Sequence, residues 1–146
     1  LAAIAFGRNV LNLEDANSTE IKADAKNPII DLLPEQKDIS DMGGSLRLGA
    51  NQVLINENTN AAKIYNSTII NKRHRHRYEI NKEYISEFEK NGLIFSAHSD
   101  EGKRMEILEI PSHKFYLGVQ FHPEFNSRPG YPEESFVAFI KAASEK

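Results

Sequence analysis

The sequence predicts an α/β domain, and three features carry that expectation. Helical and extended segments alternate along 146 residues, a length that suits one domain. The run Phe115-Tyr116-Leu117-Gly118-Val119-Gln120-Phe121 is continuously apolar, in the manner of a strand buried on both faces. Apolar residues at helical spacing open and close the chain, over residues 1–13 and 132–143.

The elements follow in order. Ile4, Val10 and Leu11 stand at helical intervals, with Gly7 as a close-packing point. Asn17-Ser18-Thr19 supplies polar turn chemistry, residues 21–27 read as a loop, and residues 28–33 form a short apolar strand closed by Pro34. Residues 34–41 are charged and mobile in character, and Gly43-Gly44 marks a sharp turn. Two strands are expected at 45–49 and 52–55, a short helix at 60–65, and an extended stretch at 73–80. Asn81 is placed to cap a helix over 82–91 whose inner stripe is Tyr84, Ile85 and Phe88, with Gly92 at its end. Strands at 93–97 and 104–110 flank a hairpin-like connection, Ser99-Asp100-Glu101-Gly102. The closing helix should turn Phe136, Phe139 and Ile140 inward.

Composition narrows the function classes. A net charge of −3 argues against a dedicated nucleic-acid binder, and 40% hydrophobic residues suit a packed core. No stretch approaches the roughly 18 apolar residues that span a bilayer, and no secretory leader opens the chain, so the expectation is a soluble, cytoplasmic protein. There is no cysteine, which removes disulfides, thiolate metal sites and any cysteine nucleophile from these residues. Leu1 begins a helical pattern with neither a methionine nor a capping residue ahead of it, which reads as an internal fragment.

The chemistry concentrates at Val119-Gln120-Phe121-His122-Pro123-Glu124-Phe125, where a strand runs straight into a histidine. Strand ends are where α/β folds place catalytic groups. His122 has the chemistry of a general base, and a carboxylate two residues on, Glu124, is of the type that orients an imidazole and stabilises its protonated form. A surface His-Pro turn beside an unrelated glutamate is the plain alternative. In Arg73-His74-Arg75-His76-Arg77, period-two geometry puts the arginines on one strand face and the histidines on the other. That face suits a phosphate or carboxylate, a nucleic acid, or simply solvent; the two histidines lack an evident third metal ligand. Glu20 and Arg77 are the residue types that would hold an amino acid's ammonium and carboxylate.

Four segments together carry a resemblance. Gly118-Val119-Gln120-Phe121-His122-Pro123-Glu124-Phe125 resembles the His-Pro-Glu signature of class I glutamine amidotransferases. Asn17-Ser18-Thr19-Glu20, Met42-Gly43-Gly44-Ser45-Leu46-Arg47-Leu48-Gly49 and Arg73-His74-Arg75-His76-Arg77-Tyr78-Glu79 narrow the likeness to the glutaminase domains of the CTP synthase family, along the whole chain. The resemblance implies a flavodoxin-like, mostly parallel sheet flanked by helices, with its N-terminal strands missing. It implies glutamine hydrolysis to glutamate and ammonia by a Cys-His-Glu triad, with His122 and Glu124 at the matching catalytic positions and Glu20 and Arg77 holding glutamine. It further implies an N-terminal amidoligase domain that uses magnesium and ATP to aminate UTP to CTP, GTP as activator, and a homotetrameric parent. No metal site and no membrane or nucleic-acid partner is expected in these residues.

One departure from the family pattern is severe. The family's nucleophile sits on a strand-to-helix elbow just ahead of the position matching Leu1, so residues 1–146 read as a partial domain lacking that elbow and the amidoligase domain, inactive alone. The rival is a non-catalytic regulatory or scaffolding domain that keeps the fold without the nucleophile; a binding module built on residues 73–77 is more distant.

Overall fold

The structure, a computed structural model, describes residues 1–32 and 46–145. Its elements run α1 (Ala2–Asn9), β1 (Ala16–Ser18), β2 (Asn27–Asp31), β3 (Arg47–Ile55), α2 (Asn60–Tyr65), β4 (Ile69–His76), β5 (Glu79–Ile80), α3 (Ile85–Lys90), β6 (Ile94–Ser99), β7 (Arg104–Glu109), β8 (Leu117–Val119) and α4 (Glu134–Ser144). The chain divides into two units, Leu1–Arg47 with His76–Gly92, and Leu48–Arg75 with Leu93–Lys146.

The first unit carries the three-stranded sheet β1-β2-β5, with β1 and β2 parallel and β2 and β5 antiparallel. Helix α1 buries Ala3, Ile4, Phe6 and Gly7, and the Phe6 ring stacks on Phe88 of α3 at 5.4 Å. Gly7 is a close-packing point because a Cβ there would sit 3.3 Å from the Ala16 Cβ and 3.4 Å from Ile29. Ile29 and Phe88 are wholly buried, and each such side chain contributes about 1.5–3 kcal/mol relative to exposure. The Asn81 side chain accepts from the Glu83 N–H at 3.1 Å and donates to the Pro28 carbonyl at 3.0 Å. It thereby caps a 3₁₀ turn, Lys82–Tyr84, that leads into α3.

The second unit holds the five-stranded sheet β4-β3-β6-β7-β8. Val53, Ile55, Ala61, Tyr65, Ala97, Ile107 and Phe121 form its apolar core. Helix α2 starts on Thr59, whose hydroxyl accepts from the Ala62 N–H at 3.1 Å. The buried Glu109 carboxylate takes the Asn60 and Ala61 N–H groups at 3.1 and 3.0 Å, where a helix N-terminus favours negative charge.

Several expectations change in the structure. Among the described residues β1–β2 is a parallel pair, whereas β2–β5, β3–β6, β6–β7 and β7–β8 are antiparallel. The mostly parallel sheet is therefore not what these strands make, because short links such as Asp100–Gly102 return the chain directly, and a parallel pair needs a long crossover. The apolar run 115–121 yields only the three half-buried strand residues Leu117–Val119. Gly118 packs close there: a Cβ would come within 2.9 Å of Leu108 Cδ1, so Leu108 would have to shift. Asn17 and Ser18 lie in strand β1 rather than a turn, and the strands expected at 45–49 and 52–55 are one continuous β3. Leu33, the stretch 34–41, Gly43-Gly44 and Ser45 lie outside the described residues.

Helix α4 is rotated from expectation: Phe136, Val137, Phe139 and Ile140 are exposed, while Ser135, Ala138 and Ala142 face the protein. The cause is its first turn, which is fixed by a buried charge. Glu133 accepts from Lys72 Nζ at 2.8 Å, from the Tyr65 hydroxyl at 2.9 Å, and from the Ser135 N–H at 2.8 Å and the Ser135 hydroxyl. Lys72 also lies over the Tyr65 ring, 4.7 Å from its centroid. Burial would raise the Glu133 carboxyl, but hydrogen bonds from Lys72 and Ser135 outweigh it and hold the group below the usual carboxylate range.

Two outcomes follow from this ion pair. Lys72→Met leaves Glu133 buried without its cation and should lower unfolding stability by about 3–5 kcal/mol, with the double variant Lys72→Met/Glu133→Leu recovering much of that loss in urea unfolding. Because the folded-state carboxyl of Glu133 lies below its unfolded value, its contribution is full above about pH 4.3 and is lost as pH falls through the folded value. Glu133→Gln should therefore flatten the acid limb of the stability profile, read as urea midpoint against pH.

Candidate active site

His122 lies three residues beyond β8, where the backbone leaves the ladder. In a regular strand, amides two residues apart point the same way. Here the Gln120 N–H donates to the Glu106 carbonyl on β7 at 2.9 Å, whereas the His122 N–H donates to the Arg73 carbonyl on β4 at 2.9 Å. Strands β4 and β8 are the opposite edges of the sheet order. The sheet thus curls until the residue after one edge reaches the other, and the turn in the backbone between 120 and 122 re-aims the His122 side chain.

Pro123 then opens a 3₁₀ turn, Pro123–Asn126, with its fixed φ at the first position. That turn brings the Glu124 carboxylate to 2.7 Å from His122 Nδ1. A carboxylate only accepts, so Nδ1 carries a proton, and in the neutral form of the ring the lone pair is on Nε2. The ring is 38% exposed, and Nε2 has no protein partner among the described residues. Phe125 sits against the imidazole, with ring centroids 5.4 Å apart. The hydrogen bond from His122 holds the Glu124 carboxyl below the usual range, so the acceptor stays ionised wherever the imidazole is needed as a base.

The other two expected site residues belong to the first unit. Glu20 is exposed on the turn after β1, its N–H donating to Ser18 Oγ at 3.2 Å. Arg77 is half-buried, two residues before β5. Along β4 the expected alternation holds for Arg73 and Arg75, which are outward, and His74, which is buried as Lys72 also is; it ends there, since His76 is half-buried at the last strand position and Arg77 lies beyond the strand. Among the described residues no group of three or more His, Cys, Asp or Glu side chains is arranged to hold a metal ion. No described helix is long and apolar enough to cross a membrane.

Sequence reasoning missed the buried carboxylates Glu106, Glu109 and Glu133. Glutamates in such segments read as solvated faces; for Glu106 and Glu133 the one advance signal is the basic run of β4, and for Glu109, which meets the start of α2, there is none.

With this geometry in hand, comparison with known proteins is direct. Residues 1–142 match the family described as glutamine amidotransferase class-I. The chain belongs to that family. Within it, the chain is similar throughout to CTP synthases. It is 54% identical over 143 residues to the CTP synthase of Archaeoglobus fulgidus and, over the same length, 54% identical to that of Staphylococcus saprophyticus. In each comparison 98% of this chain is covered but only 27% of the relative, so the chain spans about a quarter of those proteins. Among solved structures, the Trypanosoma brucei CTP synthase glutaminase domain with bound acivicin superposes with a TM-score of 0.90 at 40% identity, covering 99% of this chain and 56% of that one. The class I glutamine amidotransferase fold expected from the sequence is the fold observed, apart from the strand directions corrected above.

If Glu124 sets the His122 tautomer, Glu124→Ala should reduce the fraction of His122 protonated at Nδ1, read from imidazole ¹⁵N shifts. An unchanged tautomer would assign that proton to some other acceptor.

Proposed function

We propose that this chain is the glutaminase part of a CTP synthase, releasing ammonia from glutamine for the ATP-dependent amination of UTP to CTP. The observation that carries the reading is the His122–Glu124 pair, in which the carboxylate holds Nδ1 at 2.7 Å and leaves Nε2 open. In this reading Nε2 takes the proton of a thiol as the sulfur attacks the glutamine amide carbonyl. The resulting imidazolium, held by Glu124, returns the proton to the departing ammonia. Water then hydrolyses the thioester to glutamate and regenerates the thiol, with Nε2 again serving as base. These residues contain no cysteine, so the thiol comes from outside them and the 146 residues alone do not hydrolyse glutamine.

Glu20 and Arg77 are assigned to the ammonium and carboxylate of glutamine, the charges they complement. The related glutaminase domain with bound acivicin supports a ligand site in this fold. The amidoligase chemistry, with its ATP and magnesium, belongs to a partner domain of the same polypeptide, and GTP is the activator.

The test uses the protein expressed from its complete reading frame. His122→Ala should lower glutamine-dependent CTP formation by about 10²–10⁴-fold while ammonia-dependent formation stays intact. Arg77→Lys keeps the charge but loses the planar fork, so it should raise the apparent KM for glutamine, as should Glu20→Ala. Equal loss with both nitrogen sources in the His122 variant would reduce that residue to a structural role.

A further inference from the structure

Directly behind the His122 segment lies a buried polar group to which no part of the mechanism above gives a task. His74 on β4 has a fully buried side chain. Its Nδ1 lies 2.9 Å from the Lys72 carbonyl oxygen, and its Nε2 lies 2.8 Å from Glu106 Oε2 on β7. The other Glu106 oxygen accepts from the Ser99 hydroxyl at 2.5 Å. A carbonyl only accepts, so Nδ1 carries a proton, and one further proton lies between Nε2 and Glu106. Both ring nitrogens are therefore engaged inside the protein. With no exposed surface, His74 does not reach a substrate.

Such a group needs a reason. A buried histidine–carboxylate pair is often no more stable than apolar side chains of the same volume. What it adds is direction: hydrogen bonds fix orientation, whereas apolar contacts tolerate sliding. The strands it joins are β4 and β7, the same two to which the backbone around His122 is tied. Gln120 donates to the carbonyl of Glu106 itself, and His122 donates to the carbonyl of Arg73, the residue before His74. Phe121, between those two anchors, packs edge-on against the His74 ring at 6.1 Å.

We infer that His74, Glu106 and Ser99 form an internal brace that sets the distance and orientation between β4 and β7, and through them the aim of His122. They are positioning residues. The inference rests on the proposed glutaminase role of His122. A base displaced by about 1 Å loses about 10²-fold in rate, which is the scale on which the brace acts.

The test is made on the protein from its complete reading frame, with glutaminase kcat and KM measured per folded molecule. The double variant His74→Leu/Glu106→Leu keeps the volume, removes the directed bonds and leaves no buried charge. Its thermal midpoint should hold, while kcat falls about 10–100-fold and KM for glutamine stays within about twofold. Glu106→Gln offers an amide N–H to Nε2 and an oxygen to Ser99, so it should restore kcat to within about threefold of the parent. If the double variant does not fold, Ser99→Ala carries the test, with a drop in kcat of about tenfold expected. An unchanged kcat in the folded double variant, or in Ser99→Ala, would overturn the brace, as would a Glu106→Gln protein as slow as the double variant. His122→Ala, run alongside, separates the two levels: if it retains glutaminase activity, the proposed function has failed. If it is inactive while the double variant keeps its kcat, the brace alone has failed.

Discussion

Desolvated charge governs the second unit. Strand β4 alternates, and its fully buried positions are Lys72 and His74, with the aliphatic Ile70 only half-buried on the same face. A cation taken out of water without a partner carries a penalty of several kcal/mol. Each of the two is accordingly met by a buried carboxylate, Lys72 by Glu133 at 2.8 Å and His74 by Glu106 at 2.8 Å. The partners come from α4's cap and from β7, so satisfying one strand's charge fixes where two other elements lie. Apolar packing around Val53, Ile107 and Phe121 fills the space but does not choose that arrangement.

The consequence for the candidate site is that the His122 segment rests on a polar scaffold. His122 follows the shortest strand of its sheet, Leu117–Val119, which alone would hold a side chain poorly. Its segment is instead tied by amides on both sides, to β7 through Gln120 and to β4 through His122 itself. Closure of a curled sheet around that segment gives it two anchors where an ordinary edge strand has one.

What the sequence reveals and what it conceals divide along the range of the interactions. Helix α2 is legible to the residue because its signals are local: Thr59 before the first turn, and a left-handed Asn66 after the last. The same holds for Asn81 ahead of its 3₁₀ turn, the β6–β7 hairpin, the alternation expected over residues 73–77 as far as Arg75, and the pairing of His122 with Glu124. Strand direction is not legible, since a short apolar run reads alike in parallel and antiparallel sheets. The facing of α4 was misjudged for a related reason. Its apolar residues give a clear stripe, but the rotation is set from outside the helix, by Lys72 and Tyr65 holding Glu133. The buried glutamates were invisible singly, because each is explained only by a basic residue that lies far away in sequence or by a helix end.

The same division runs through the site. The proton on His122 Nδ1 is placed by Glu124, two residues on, across a turn that Pro123 initiates; every part of that arrangement lies between His122 and Asn126. Its tautomer is therefore a local property, available wherever this short segment folds, and it survives changes elsewhere. The direction of Nε2 is not local. It depends on where β4 and β7 stand, since their carbonyls hold the backbone on either side of Phe121, and β4 carries buried polar pairs that span 32 residues between His74 and Glu106 and 61 between Lys72 and Glu133. A base needs both, a lone pair on the right nitrogen and a line from it to the reacting atom. In the proposed reading the local turn supplies the first and the buried pairs supply the second, so a motif match places the candidate base without establishing that it is aimed.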